Sequence, residues 1–393
     1  MLLIVAQHTD PYDISCGYYW EKLITRLSEN HEILLITEDR PISLEENLKI
    51  NILQVRTSKF FKDNLNFGLG FLHKVSISFL MFFHAIRNCQ KKEAIFIGTN
   101  PFLIILLPLI LKVFLVKAKT YILLFDLFPE NLLATSNKAF IKIPLILFKF
   151  LFNLSYRKTT KIFSIGRDMS KILENKKVKK DRIIYTPNWC DDVYDFDEEK
   201  KKKALSSLGI DYDPKKNIVI LYFGNLGHFQ PIEFFLNISS KTTNKKLIFL
   251  FVGNGIKKDL IKQASIDDNR IYVRDGVEMS ERSKILVCGD VSLVTLAEKM
   301  FGLAVPSKSY FSLASNMPLL TIMNKNSEIS LLVSEKDLGW SFSFKEKEKI
   351  ISFLNKLTRK SIIEKKNKIS LNKEHFRSKT SLEKISYELD QHQ

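Results

Sequence analysis

Short runs of β-branched and aliphatic residues punctuate the chain at intervals long enough to hold a helix: Leu2 to Ala6, Ile33 to Thr37, Ala94 to Gly98, Tyr121 to Asp126, Lys161 to Ile165 and Arg182 to Tyr185. Runs with so few polar positions predict strands covered on both faces, as in a parallel sheet. A second series follows at Ile218 to Phe223, Leu247 to Val252, Ile271 to Val273, Val291 to Leu296, Leu319 to Ile322 and Gly339 to Phe342. Strand alternating with helix twice over predicts an α/β chain of two Rossmann-like, doubly wound domains. The length of 393 residues agrees, since it exceeds what one core usually serves. Between the two series, Cys190 to Lys203 carries acids and then lysines with no apolar period, and reads as a linker. The boundary is placed near Asp195, giving domains 1–195 and 196–393. The lysine-rich tail from about Lys345 is expected to be helical, with a final helix returning to the first domain.

Three segments of the first half break this pattern by being both greasy and basic: Phe71 to Phe83, Pro101 to Val116 and Phe140 to Phe152. None reaches the roughly 20 apolar residues that a membrane-spanning helix needs. Buried crossover helices are one explanation, and Pro101 to Val116, caught between two strands, is read that way. In Ala139 to Arg157, Phe, Leu and Ile alternate with Lys142, Lys149 and Arg157, which also suits a helix lying in the interface of an anionic bilayer.

Composition narrows the choice only in part. A formal charge of +17 favours anionic partners such as nucleic acid, anionic lipid or phosphorylated substrates. No nucleic-acid motif or basic aromatic stripe accompanies it, so a nucleic-acid partner is not expected. Lysine runs at Lys176 to Lys180 and Lys200 to Lys203 read as solvated faces. The four cysteines, Cys16, Cys89, Cys190 and Cys288, lie far apart without metal-ligand spacing and read as reduced thiols in a cytoplasmic protein. Met1 to Ala6 is too short for a secretory signal and reads as a buried strand.

In doubly wound domains ligands lie beyond the carboxyl ends of the strands, so the loops there carry the candidate chemistry. Gly224-Asn225-Leu226-Gly227 with Gln230 follows one strand, Gly253-Asn254-Gly255 the next and Asp275-Gly276 the one after. Each alone is equally an ordinary turn. Their repetition along one sheet is what a nucleotide site produces. Pro306-Ser307-Lys308 opens a helix, where a lysine is electrostatically unfavourable unless an anion is bound nearby, although a solvated lysine fits as well. In the first half, Asp126 and Glu130 follow a strand at its carboxyl end and are the candidate catalytic carboxylates, one of them to orient or deprotonate an acceptor hydroxyl. Asp126 as a helix cap is the structural alternative. His8, after the first strand, faces the same side and reads as a packing residue.

Taken together these strings resemble glycosyltransferase family 4. In the second half the likeness is carried by Gly224-Asn225-Leu226-Gly227 with Gln230, Phe251-Val252-Gly253-Asn254-Gly255, Gly289-Asp290-Val291-Ser292-Leu293-Val294 and Pro306-Ser307-Lys308. In the first half it is carried by Asp126-Leu127-Phe128-Pro129-Glu130 and Thr186-Pro187-Asn188-Trp189. More narrowly the chain resembles the branch of L-fucosamine transferases of O-antigen and capsule synthesis.

The resemblance implies a GT-B fold and a UDP-sugar held mainly by the second domain, with N-acetylated amino or deoxyamino sugars among the candidates. It implies retention of anomeric configuration, no metal or other cofactor, and a lipid-linked (polyprenyl pyrophosphate) saccharide acceptor in bacterial lipopolysaccharide or capsule synthesis. A cytoplasmic protein peripherally attached to the inner face of the plasma membrane follows. The nucleotide-sugar contacts are expected from Cys16, Gly17, Gly224, Asn225, Leu226, Gln230, Gly253, Asn254, Asp275, Gly276, Ser307 and Lys308. The sequence departs from the family in three places. Lys299 and Ser307 stand where a glutamate pair is usual, Gln230 replaces a basic residue, and the glycine-rich first loop shrinks to Ser15-Cys16-Gly17. The alternatives are a UDP-sugar 2-epimerase or hydrolase on the same fold, and a basic non-catalytic binding protein.

Overall fold

The computed structural model describes residues 1–12, 14–44, 48–57, 67–90, 92–114, 116–135 and 139–391. The chain folds into two compact units. The first comprises Met1–Pro187, Gly302–Val305 and Lys379–Gln393, the second Asn188–Phe301 and Pro306–Ser378.

The first unit is built on a seven-stranded sheet: β1 (Leu2–Val5), β2 (Ile33–Glu38), β3 (Ile50–Val55), β4 (Ala94–Ile97), β5 (Lys119–Leu124), β6 (Lys161–Ser164) and β7 (Ile183–Tyr185). Their order is β3-β2-β1-β4-β5-β6-β7, and every neighbouring pair is parallel. Strands β1 and β4 are buried along their whole length, which is why their sequences show no alternation. Phe96 of β4 meets Trp20 at 5.5 Å and Phe163 at 5.5 Å between ring centroids, and all three are buried in the core of this unit. Strand β3 was not anticipated from the sequence. Among the described strands it pairs with β2 alone, and it shows Asn51, Ile52 and Gln54 to solvent, so its apolar run is broken as edge strands allow.

Helices α1 (Ser15–Ser28), α2 (Phe67–Asn88), α3 (Leu107–Val113), α4 (Glu130–Thr135), α5 (Ala139–Lys158) and α6 (Arg167–Asn175) cover this sheet. The short segment Gly302–Val305 joins the same unit: Asp126 and Ala304 form an antiparallel bridge, and the Leu127 amide donates to the Leu303 carbonyl at 2.9 Å.

The second unit holds six parallel strands in the order β10-β9-β8-β11-β12-β13: β8 (Ile218–Phe223), β9 (Leu247–Val252), β10 (Ile271–Arg274), β11 (Val291–Thr295), β12 (Leu319–Ile322) and β13 (Gly339–Phe342). Its core gathers Phe235, Phe249, Phe251 and Ile261 under β8 and β9. Each such side chain, fully removed from water, contributes roughly 1.5–3 kcal/mol. Helices α7 (Glu198–Ser207), α8 (Ile232–Ser239), α9 (Lys258–Asp267), α10 (Arg282–Leu286), α11 (Lys308–Ala314), α12 (Glu328–Lys336), α13 (Lys347–Lys356) and α14 (Arg359–Leu371) complete it, and α15 (Ser378–Asp390) runs on into the first unit. The tail is therefore helical, as its composition predicts.

Two lysines of the runs read as solvated are buried instead. Lys201 reaches Asp290 at 2.5 Å, with Arg359 at 3.3 Å from the same carboxylate oxygen, and Lys176 pairs with Glu130. Their acidic partners lie far away in sequence, so the local charge pattern could not reveal them. None of the four cysteines forms a disulfide.

Candidate active site

In the second unit the strand order reverses between β8 and β11, the switch point at which such sheets open a ligand crevice. The loop leaving β8 is stitched to its neighbours one strand end at a time. The Gly224 amide donates to the Val252 carbonyl at 3.0 Å, Leu226 to the Asn254 carbonyl at 2.9 Å and Gly276 to Asn254 Oδ1 at 3.2 Å. Three loops that are separate turns in sequence thus form one continuous rim. Glycine is required at three points of it, one being Gly255, at φ 143° against the Leu226 carbonyl. Gly224 sits at φ 130°, and a Cβ at Gly253 would lie 1.9 Å from the Gly224 carbonyl oxygen. Gln230 turns back into the loop, where its Oε1 accepts from the Gly227 amide at 3.2 Å. The amides of Gly224, Leu226 and Gly227 are therefore already committed, while that of Asn225 has no acceptor among the described residues.

Charge at this rim comes from Lys308. It begins α11 directly after Ser307, is half-buried, and places its ammonium 3.5 Å from the centroid of the Tyr222 ring. A Cβ at Gly224 would stand 3.8 Å from Lys308 Cδ and 4.0 Å from its Nζ, so the lysine lies against the first glycine of the loop. Among the described residues no carboxylate pairs with it. Burial, with no opposing charge, pushes its proton affinity down to about 7. Asp275, by contrast, is exposed and paired with Lys258, whose hydrogen bond holds the carboxyl below its usual range. The partner Tyr222 was not singled out in the sequence, because in a strand it looks like any buried aromatic. Its hydroxyl donates to the Asn225 carbonyl at 2.6 Å, which ties the ring under Lys308 to the loop.

In the first unit, Asp126 follows β5 and is half-buried. Its Oδ1 accepts from Asn131 Nδ2 at 2.8 Å, and its amide donates to Thr99 Oγ1 at 3.3 Å. The carboxylate thus meets a side chain of α4 and not the helix's first backbone amides. Burial raises its pKa to about 6, against the lowering effect of hydrogen bonds from Asn131 and Asn100 and of the charge on Lys74. Glu130 is placed differently. Its carboxylate is bound by Lys176, which also donates to Asn153 at 2.6 Å, and Lys149 stands 3.3 Å away. That arrangement fastens α4 to α5 and to the end of α6. Cys16 and Gly17 open α1, and a Cβ at Gly17 would fall 1.9 Å from the Asp10 carbonyl oxygen, so the glycine lets the preceding loop touch the helix. Among the described residues no group of three His, Cys, Asp or Glu side chains is arranged to hold a metal ion.

A second feature of this unit is apolar. In α5, Leu145, Phe152 and Tyr156 are buried, while Ile143, Ile146, Leu147 and Phe150 form an exposed stripe at helical spacing, with Leu147 71% exposed. The neighbouring α3 and α2 add Val113, Phe114, Phe79 and Phe83, all exposed. The segment Pro101 to Val116, read as a buried crossover, is so only as far as Leu111. Lys149 stands exposed beside this stripe, whereas Arg157 donates its Nε to the Lys176 carbonyl at 2.7 Å. No helix among the described residues is long and apolar enough to cross a membrane.

No protein-family model matches the chain. Over 345 residues it is 29% identical to the probable glycosyltransferase WbjE of Pseudomonas aeruginosa, covering 86% of this chain and 85% of that protein. Its fold is similar to that of Anabaena Alr3699/HepE in complex with UDP and glucose, with a TM-score of 0.70, 11% identity and all of both chains covered. It is likewise similar to WaaG, a glycosyltransferase involved in lipopolysaccharide biosynthesis, with a TM-score of 0.67, 10% identity and 98% of each chain covered.

Proposed function

We propose that this chain, a glycosyltransferase of the GT-B architecture, moves a sugar from a UDP-sugar to a lipid-linked saccharide during synthesis of a bacterial surface polysaccharide. The observation that carries the donor reading is Lys308: a half-buried cation without a carboxylate partner, held by a ring at a rim of three glycine loops. Such a charge is costly unless an anion completes it. A diphosphate supplies that anion, and the missing side chain at Gly224, where nothing but Lys308 stands within 4 Å, lets it approach the backbone closely. Lys308 then stabilises the charge that builds on the departing diphosphate, a part that divalent metals play in other enzymes. A cation that the protein supplies at the leaving group fits a metal-independent reaction, and retention at the sugar carbon rests on the resemblance to glycosyltransferase family 4.

In the first unit, Asp126 is the group to receive or orient the acceptor hydroxyl's proton, since its raised proton affinity lies closer to neutrality than an ordinary carboxylate's. Glu130 serves to hold α4 through Lys176, and so positions Asp126's partner Asn131. The exposed stripe of α5, with Val113 and Phe114 of α3, supports attachment to the inner face of an anionic membrane, where a lipid-linked acceptor resides. A panel of UDP-sugars with polyprenyl-pyrophosphate acceptors, run in excess EDTA, tests the whole reading. Turnover with retained anomeric configuration is expected. Activity that manganese alone restores, or isomerised donor without transfer, would overturn it.

A further inference from the structure

The Lys308 ammonium has an unusual environment in that, among the described residues, no carboxylate stands by to keep it charged. From β8 it faces the Tyr222 ring, whose phenol is spoken for by the Asn225 carbonyl and whose own ionisation burial pushes up. Strands β11 and β12, packed against α11, carry no ionisable side chain. The turn at Lys373–Phe376 brings Lys373, Glu374 and His375 against the same helix, and none of them bonds to Lys308. Arg282 lies over Phe311, one turn further along α11, and spends its charge on Asp192. A ring face attracts a cation by about 0.5–2 kcal/mol, less than the water it replaces.

We propose that Lys308 takes up a proton as the nucleotide's diphosphate binds, so that the cation of the donor site is generated by its own substrate. The inference rests on the donor reading above and extends it to the linkage between binding and pH. With the proton affinity of the empty site near 7, amine and ammonium are both populated at neutrality. Two phosphate charges beside Nζ favour the charged form and move its titration well upward. Proton uptake on binding follows, small below pH 6 and approaching one proton above pH 8, and affinity falls about tenfold per pH unit between 7 and the new titration point. The charge also arrives where it is needed: an empty site carries less unscreened cation, and a filled one a full counterion for the leaving group.

The test is calorimetric titration of the intact protein with UDP at pH 8.5, where the nucleotide's own phosphate is fully ionised, in Tris and in a second buffer of different ionisation enthalpy. The dependence of the observed heat on the buffer gives the protons exchanged. An uptake of about 0.9 proton is expected, falling to near zero at pH 6 with UDP-glucose, whose diphosphate has no titration there. Lys308→Arg, which stays charged, should bind UDP without uptake and without the loss of affinity between pH 7 and 9. UDP binding with no proton uptake at pH 8.5, or uptake that persists in Lys308→Arg, overturns the linkage while leaving the donor site standing. Failure of UDP and UDP-sugars to bind at any pH overturns the donor reading, and this inference with it.

Discussion

Replacing Asp126 by Asn should make the protein more stable and less active, and the size of both effects follows from the carboxylate's surroundings. In the fold its pKa is raised from 3.8 to about 6, because burial outweighs the hydrogen bonds from Asn131 and Asn100. The folded state therefore holds more protons than the unfolded chain between those values, and stability declines as pH rises through the window. Above pH 7 the ionised carboxylate bears the whole cost. At about 1.36 kcal/mol per pK unit the shift corresponds to roughly 3 kcal/mol, trimmed to about 1–3 by the water that reaches a half-buried group. Asn keeps an oxygen to accept from Asn131 and removes the charge. For a unit of this size the gain is about 2–10 °C in melting temperature at pH 8. It should shrink steadily toward pH 4.5 as wild-type Asp126 becomes neutral. Turnover should fall by about 10²-fold or more if the carboxylate handles the acceptor proton. Thermal scans of both proteins from pH 4.5 to 8, paired with initial rates, decide the matter. A variant no more stable at pH 8 than at pH 4.5 relative to wild type refutes the electrostatic argument, and one with full turnover refutes the catalytic one.

Other outcomes follow from the same geometry. Lys308→Ala should weaken UDP binding by about 1.5–3 kcal/mol while leaving the melting temperature unlowered, since no protein carboxylate loses its partner; equal affinity by calorimetry would remove Lys308 from the site. Gly253→Ala should abolish UDP binding, because its methyl group collides with the Gly224 carbonyl; unchanged binding would show that the loop rim is not part of the pocket. Vesicle co-sedimentation should show preference for anionic liposomes, lost when Leu147 and Phe150 become Glu and weakened by about 1 kcal/mol for each lysine, Lys142 or Lys149, replaced likewise. Equal binding to neutral vesicles would mean that the exposed stripe meets something other than an anionic surface.

The strand pattern was legible because parallel strands covered on both faces leave an uninterrupted apolar signature. That signature fails at β3, where one neighbour and a solvated side admit Asn51 and Gln54. The candidate site was legible only as a set of separate turns. What unites them is strand order, which sets the loops after β8, β9 and β10 side by side, and order is a property of the fold and not of any local segment. Pairings across long separations were equally invisible. Lys201 meets Asp290 and Lys176 meets Glu130, and both lysines read as solvated until their distant partners are known, while Lys308 stands out by its place at a helix start but its contact with Tyr222 does not. The exposed stripe of α5 is a different case, since its sequence is compatible with core and with interface alike, and only the helix's orientation separates the two.

The route of the chain carries a practical and an evolutionary consequence. It passes from the first unit to the second after Pro187, returns for Gly302–Val305, departs again and comes back with α15. The returning pieces are integral: Ala304 bridges Asp126, Asp390 stands 3.2 Å from His31, and Glu388 pairs with Lys161 at 3.0 Å. No single cut in the sequence yields an intact half. Recombination that replaces everything after Pro187 with a relative's sequence therefore brings two foreign pieces into the first unit, the strip beside Asp126 and the last helix. Substitution within loops is the easier path to a changed site, and splicing of halves the harder one.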